Sequence, residues 1–280
     1  MPDPDLDRLL SALHLDPADD LLWLAVADRL EETGQPLRAE LLRLNRRLRG
    51  MPEDDERWAA EERVRGLVNG GVVPCVPEIV NSIGMRFVLI PAGTFWMGSP
   101  TKEKGRSDNE TLHKVTLKRP FWMGVLPVSH DRLRAMAGRE ATFTMSDEGR
   151  GAAETGWNGA VAFCAALSGC AAERGRSYRL PTEAEWEYCC RAGIMSTAFH
   201  FGDDLAENQA SFTDGAWATE HPLGHFPPNA WGLHDMHGTT SEWCSDWCGD
   251  YPVEAASDPQ GPMNGTERVV RGGHYYQPAR

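Results

Sequence analysis

Residues 229–251 read NAWGLHDMHGTTSEWCSDWCGDY, and they decide how the rest of the chain is read. Between Pro228 and Pro252 the stretch holds Trp231, Trp243 and Trp247, His234 and His237, Cys244 and Cys248, and the carboxylates of Asp235, Glu242, Asp246 and Asp250. Neither the helical nor the strand period organises it, so an irregular loop is predicted. Oxygen-bearing positions Asp235, Gly238, Thr240 and Glu242 lie two or three residues apart, a spacing that can wrap a hard cation such as calcium, which takes six to eight oxygens. A polar loop tied by its own hydrogen bonds is the alternative. His234, His237, Cys244 and Cys248 are ligand types that tetrahedral zinc prefers. Their spacing matches no zinc ribbon or finger, and Trp243 and Trp247 read as packing residues between the cysteines.

Two further blocks complete the pattern: RLPTEAEWEYCCRAG at 179–193 and RVVRGGHYY at 268–276. With 229–251 they resemble the formylglycine-generating enzyme (sulfatase-modifying factor) family over roughly residues 81–280. The resemblance implies an α+β, C-type-lectin-like fold with little regular secondary structure and long loops. It also implies structural places for Trp186, Cys190, Trp243, Arg271, Gly272 and Gly273. One structural calcium is implied, held by the side chains of Asp235 and Glu242 and the carbonyls of Gly238 and Thr240; Asp235 stands where the family often has asparagine, and Thr239-Thr240 replace Asn-Val. A second family calcium site would use the loop at 210–212, but its asparagine ligand is Ser211 here, and it is not predicted. The cysteine at the place of Cys190 can pair in relatives with one following the active-site segment, which would lie beyond Arg280.

Active members of the family are implied to hold copper(I) between two cysteines and to oxidise a substrate cysteine to formylglycine, soft thiolates being the natural ligands of that ion. Here the segment reads RGGHYYQPAR: His274 replaces a serine, Gln277 falls where the first cysteine belongs, and no cysteine follows Cys248. No catalytic residue is therefore assigned, copper is not expected, and the domain is read as C-terminally incomplete, its last strands missing. The readings are an inactive family member, a non-catalytic lectin-like domain that binds a peptide, protein or glycan, a truncated fragment of an active enzyme, or a decayed copy. An iron-dependent branch of the family needs a histidine-rich N-terminal helix, and His14 is the only histidine in that part of the chain.

Composition narrows the partners. A net charge of -13 and a pI near 5.1 disfavour nucleic acid and anionic membranes, which attract clustered cations. Seven cysteines without disulfide-framework spacing, and the absence of a signal-like or membrane-length apolar run, predict a cytoplasmic protein.

Residues 5–69 carry helical periodicity: Leu6, Leu9, Leu10 and Leu13 before Asp16-Pro17, then 21–33 up to Gly34, then Leu37, Leu41, Leu44 and Leu48. Arg43, Arg46, Arg47 and Arg49 on the third helix read as a solvated face rather than a docking patch. The stretch 21–48 resembles the repeat-companion helical module of multidomain bacterial proteins. The division is thus 1–50 for that module, 51–80 for a helix and linker, and 81–280 for the family domain. Too small to be stable alone, the module is expected to pack on the helix around Trp58, Val64 and Leu67 or on a partner. Strands are predicted at 86–90, 94–97 and 113–117. Two helices are predicted in this half, one capped by Asn158 and one opened by a capping box of Thr182 and Glu185.

Overall fold

Aspartates open three of the first four helices, because a carboxylate before a helix accepts the N–H groups its first turn leaves free. The computed structural model describes residues 3–103, 105–137, 155–212 and 221–273. Asp3 caps α1 (Pro4–Leu15), Asp19 caps α2 (Asp20–Glu32) and Asp54 caps α4 (Asp55–Asn69); α3 (Pro36–Leu48) starts on a proline, which has no N–H to satisfy. Asp3 also accepts Arg29 Nε at 2.8 Å, which ties α1 to α2. Gly34, at φ +76°, turns the chain into α3 in a conformation that glycine adopts without strain. The arginine row on α3 forms exposed ion pairs within the chain. Arg43 binds Asp28 and Glu31, Arg46 binds Asp20, Arg47 binds Glu56, and Arg49 donates to the Ala92 carbonyl at 2.9 Å.

After the linker come, among the described residues, three small sheets. β1 (Glu78–Val80) and β5 (Phe121–Gly124) flank β2 (Arg86–Ile90), both antiparallel to it. β3 (Gly93–Met97) pairs antiparallel with β4 (His113–Leu117), which takes β7 (Ala256–Ser257) in parallel on its other side. β6 (Glu242–Trp247) pairs antiparallel with β8 (Arg268–Arg271). The strands predicted at 86–90 and 94–97 are present but enter different sheets. The turn between them needs Gly93, because a Cβ there would lie 2.2 Å from the Tyr188 hydroxyl.

Among the described residues the α-helices of this half are α5 (His130–Ala137), α6 (Trp157–Ser168) and α7 (Glu183–Arg191). Only two were expected; α5, eight residues long, is too short for its periodicity to stand out. The expected Asn158 cap is also corrected: α6 begins at Trp157 after Gly156, which makes no side-chain cap, and Asn158 lies inside the first turn. At α7 the capping box forms as read, Thr182 accepting from the Glu185 N–H and Glu185 from the Thr182 N–H.

One apolar core crosses the boundary between the helical front and the domain. Leu41 and Leu48 of α3 and Val64 and Leu67 of α4 share it with Val88, Phe95, Val115, Trp186, Tyr188, Trp231 and Cys244. Tyr188 stands between Phe95 and Trp231, ring centroids at 5.1 and 4.7 Å. A second cluster joins α1, α2 and α3 through Leu13, Trp23, Val26 and Leu30, with Cys75 of the linker. Helices α3 and α4 are thus a built-in wall of the domain. No helix among the described residues is long and apolar enough to cross a membrane.

Candidate functional site

Helix α7 supplies the site's frame, and its spacing explains how. Glu183, Trp186, Glu187 and Cys190 recur at three-to-four residue intervals and so share one face. Arg179 fixes the start of the helix with two bonds of 2.6 Å to the Glu185 carboxylate. Glu187 is buried and accepts the Gly98 N–H at 3.0 Å, Arg191 Nε at 2.9 Å and Arg271 Nη2 at 2.8 Å. Burial alone would raise its carboxyl; Arg191 and Arg271 outweigh that and hold it below the usual carboxylate range. Arg271 also lies over the Trp186 ring, 5.3 Å from its centroid, and 3.8 Å from Glu183, whose Oε1 accepts the Tyr251 hydroxyl at 2.6 Å.

The register of β6 on β8 places Glu242 opposite Arg271. Gly272 and Gly273 follow at φ +89° and +76°. Glycine is needed at 272 because a Cβ there would meet the Thr240 carbonyl at 3.1 Å and the Trp186 ring at 3.4 Å. His274 and Gln277 lie outside the described residues.

The predicted calcium residues come together on the loop that leads into β6. Asp235, Gly238 and Thr239 all have positive φ, +60°, +127° and +70°, a run that bends the backbone around the loop. Asp235 Oδ2 accepts the Gly224 N–H at 2.6 Å, whereas Asp235 Oδ1 and Glu242 Oε1 are buried with no hydrogen-bond partner. Burial pushes the Glu242 carboxyl up to about 7, with Asp235 adding to the rise and the Trp186 indole opposing it. Two carboxylates that each hold a buried, orphaned oxygen, on a loop of twisted carbonyls, fit a hard cation.

The four zinc-type residues do not converge. His234 Nδ1 is bonded to the Phe226 carbonyl at 2.8 Å, Cys244 is buried in the core and Cys248 is exposed. Among the described residues no group of three or more His, Cys, Asp or Glu is placed to hold a metal ion; the calcium reading uses two carboxylates with main-chain oxygens instead. Trp243 and Trp247 pack as read. Trp243 Nε1 donates to the Thr155 carbonyl at 2.8 Å, and Trp247 and Trp157 sandwich Arg268 at 3.5 and 3.8 Å.

Beside Arg271 and the two glycines opens a cleft of about 420 Å³. Cys190 Sγ lies at its base, 3.6 Å from His237 Nδ1 and 3.7 Å from the Met236 carbonyl. The His237 ring stacks on His200 at 4.5 Å and accepts the His200 N–H at 3.3 Å. Burial pushes the Cys190 thiol up to about 12 and His237 down to about 3, so both are neutral at pH 7. Sequence reading missed Glu187, Arg191 and His200. The first two were legible in the spacing of α7; nothing marked His200.

The described residues form a mixed α+β domain of small sheets and long loops. A family model described as sulfatase-modifying factor enzyme 1-like domain matches residues 80–280, and the chain belongs to that family. The formylglycine-generating enzyme of Bos taurus is 31% identical over 213 residues, covering 71% of this chain and 53% of the relative. The chain thus spans about half the length of that enzyme. The serine/threonine-protein kinase pkn1 of Chlamydia pneumoniae is 32% identical over 217 residues, covering 67% of this chain and 32% of that protein. Among solved structures, PvdO from Pseudomonas aeruginosa superposes with a TM-score of 0.60 at 27% identity, covering 72% of this chain and 87% of that one.

Proposed function

We propose that this chain binds an extended peptide or protein segment in the cleft beside Arg271, Gly272 and Gly273, on a C-type-lectin-like scaffold braced by calcium, and does not oxidise cysteine. The donor set of the cleft carries this reading. Among the described residues Cys190 is the one thiol lining it, 6% exposed and protonated beside the neutral His237 imidazole. Copper(I) is held best by paired thiolates, which this donor set does not supply, and Gln277 stands where the family's first cysteine belongs. Copper does not fit, and no oxidative step is derived.

Binding is a different demand, and the walls suit it. Glu103, Arg106 and Glu110 present charges of both signs, while Phe199, Leu205 and Val270 offer apolar surface, a mixture suited to an extended peptide. Calcium fits the neighbouring loop, where Asp235 and Glu242 would hold it with the Gly238 and Thr240 carbonyls. It would supply the positive charge that the two carboxylates lack and fix the approach to β6.

Calorimetric titration with a Cys-x-Pro-x-Arg peptide tests the reading. Saturable binding is expected, equal for a version with serine in place of cysteine and weakened by Glu110→Lys. An absence of binding by both peptides would contradict it.

A further inference from the structure

Four side chains of α4 grip one short segment of the domain. Arg57 Nη2 donates to the Gly193 carbonyl at 3.0 Å, Arg65 Nη1 to Ser196 Oγ at 2.9 Å and Asn69 Nδ2 to the Phe201 carbonyl at 3.3 Å. Between them Glu61 Oε2 accepts two consecutive backbone N–H groups, those of Met195 at 3.0 Å and Ser196 at 2.9 Å. Glu61 is completely buried, and its other oxygen accepts Arg57 Nε at 2.8 Å. Arg57 in turn donates to the Leu48 carbonyl at 2.6 Å, so the buried pair is satisfied on every side the segment offers.

The gripped segment leaves α7 just after Cys190 and Arg191 and runs into the cleft wall. Ala198 and Phe199 line the cleft, and the next residue, His200, stacks on His237, whose ring contacts the Cys190 thiol. We propose that Glu61 is a positioning residue for the cleft: through residues 193–201 it keeps His200 seated on His237 and the Cys190 thiol closed, so the helical front and the ligand site act as one unit. This rests on the reading of the cleft as the ligand site.

The substitution Glu61→Gln tests it with the full chain. The amide keeps the shape but turns a donor either toward Arg57 or toward the Met195 and Ser196 N–H groups, leaving one side unmatched. Alkylation followed by mass spectrometry, well below the melting temperature, gives the labelling rate of each cysteine. The expected result is a rise of at least about tenfold in Cys190 labelling relative to Cys244, the effect of roughly 1.4 kcal/mol of local opening. An Arg65→Ala/Asn69→Ala variant, which loosens the same segment at the surface without touching the buried pair, should shift the ratio in the same direction by less. Parallel acceleration of Cys190 and Cys244, or an unchanged ratio in both variants, would overturn the proposal. No ligand enters this experiment, so a positive result combined with failed peptide binding would sink the ligand reading and leave the positioning role standing.

Discussion

Gly238 faces the carbonyl oxygen of Ser211 so closely that a Cβ on residue 238 would come within 2.2 Å of it. The Thr239 N–H donates to that same oxygen at 3.3 Å, so two loops distant in sequence are held at backbone contact. Gly238→Ala is therefore expected to destabilise the protein by at least about 2 kcal/mol, the strain at φ +127° adding to the clash. A melting temperature within a degree of the unsubstituted protein would show that the loops separate freely.

Calcium should raise the melting temperature, because a ligand that binds only the folded state stabilises it by about 2.7 kcal/mol at a hundred times its dissociation constant. Glu242→Ala should remove the response. Identical melts in chelator and in millimolar calcium would exclude the site.

The Glu242 carboxyl also predicts a pH signature in chelator. Its folded value, pushed up to about 7, lies above the unfolded reference of 4.5, so the folded state holds the proton more tightly. This contribution is fully present below the unfolded value and is lost as pH rises toward 7, a decline on the order of 3 kcal/mol. The decline should be absent in Glu242→Gln and reduced by calcium. His237 acts in the opposite direction: burial holds it neutral, so its contribution is lost as pH falls from 6.5 toward 3. Comparing Glu242→Gln with the unsubstituted protein isolates the glutamate's part.

Removing Arg271 should be costly. Glu187 would keep Arg191 and the Gly98 N–H but lose its partner from β8. Arg271→Ala is expected to cost about 3 kcal/mol, the scale for breaking a buried ion pair from one side. Denaturant unfolding with unchanged slope measures it, and a loss below about 1 kcal/mol would place the pair among surface-type bridges.

What the sequence showed, it showed where physics is local. The Thr182–Glu185 capping box, the leucine spacing of α1 to α3 and the alternation at 113–117 all depend on neighbours within a few residues, and all are present. The assignments that needed correction depended on tertiary context. The Asn158 cap gave way to one two residues earlier, at Gly156, where the chain enters α6. β6 and β8 went unread because their residues are fixed by specific partners rather than by alternation: Trp243 by Thr155, and Arg268 by two tryptophans. At the site, motif spacing located Asp235, Glu242 and Arg271. His200 meets His237 across 37 residues of chain, a contact that no local pattern reveals.

The most direct test of the central claim is a turnover assay on the 280-residue chain with copper(I), oxygen, a reductant and a Cys-x-Pro-x-Arg peptide, read by mass spectrometry alongside binding of the same peptide. The peptide should bind and emerge with its cysteine intact, formylglycine staying at the level of a copper-only control. Formylglycine above that control, abolished by Cys190→Ser or by Cys244→Ala/Cys248→Ala, would contradict the account and place an active copper site in this chain.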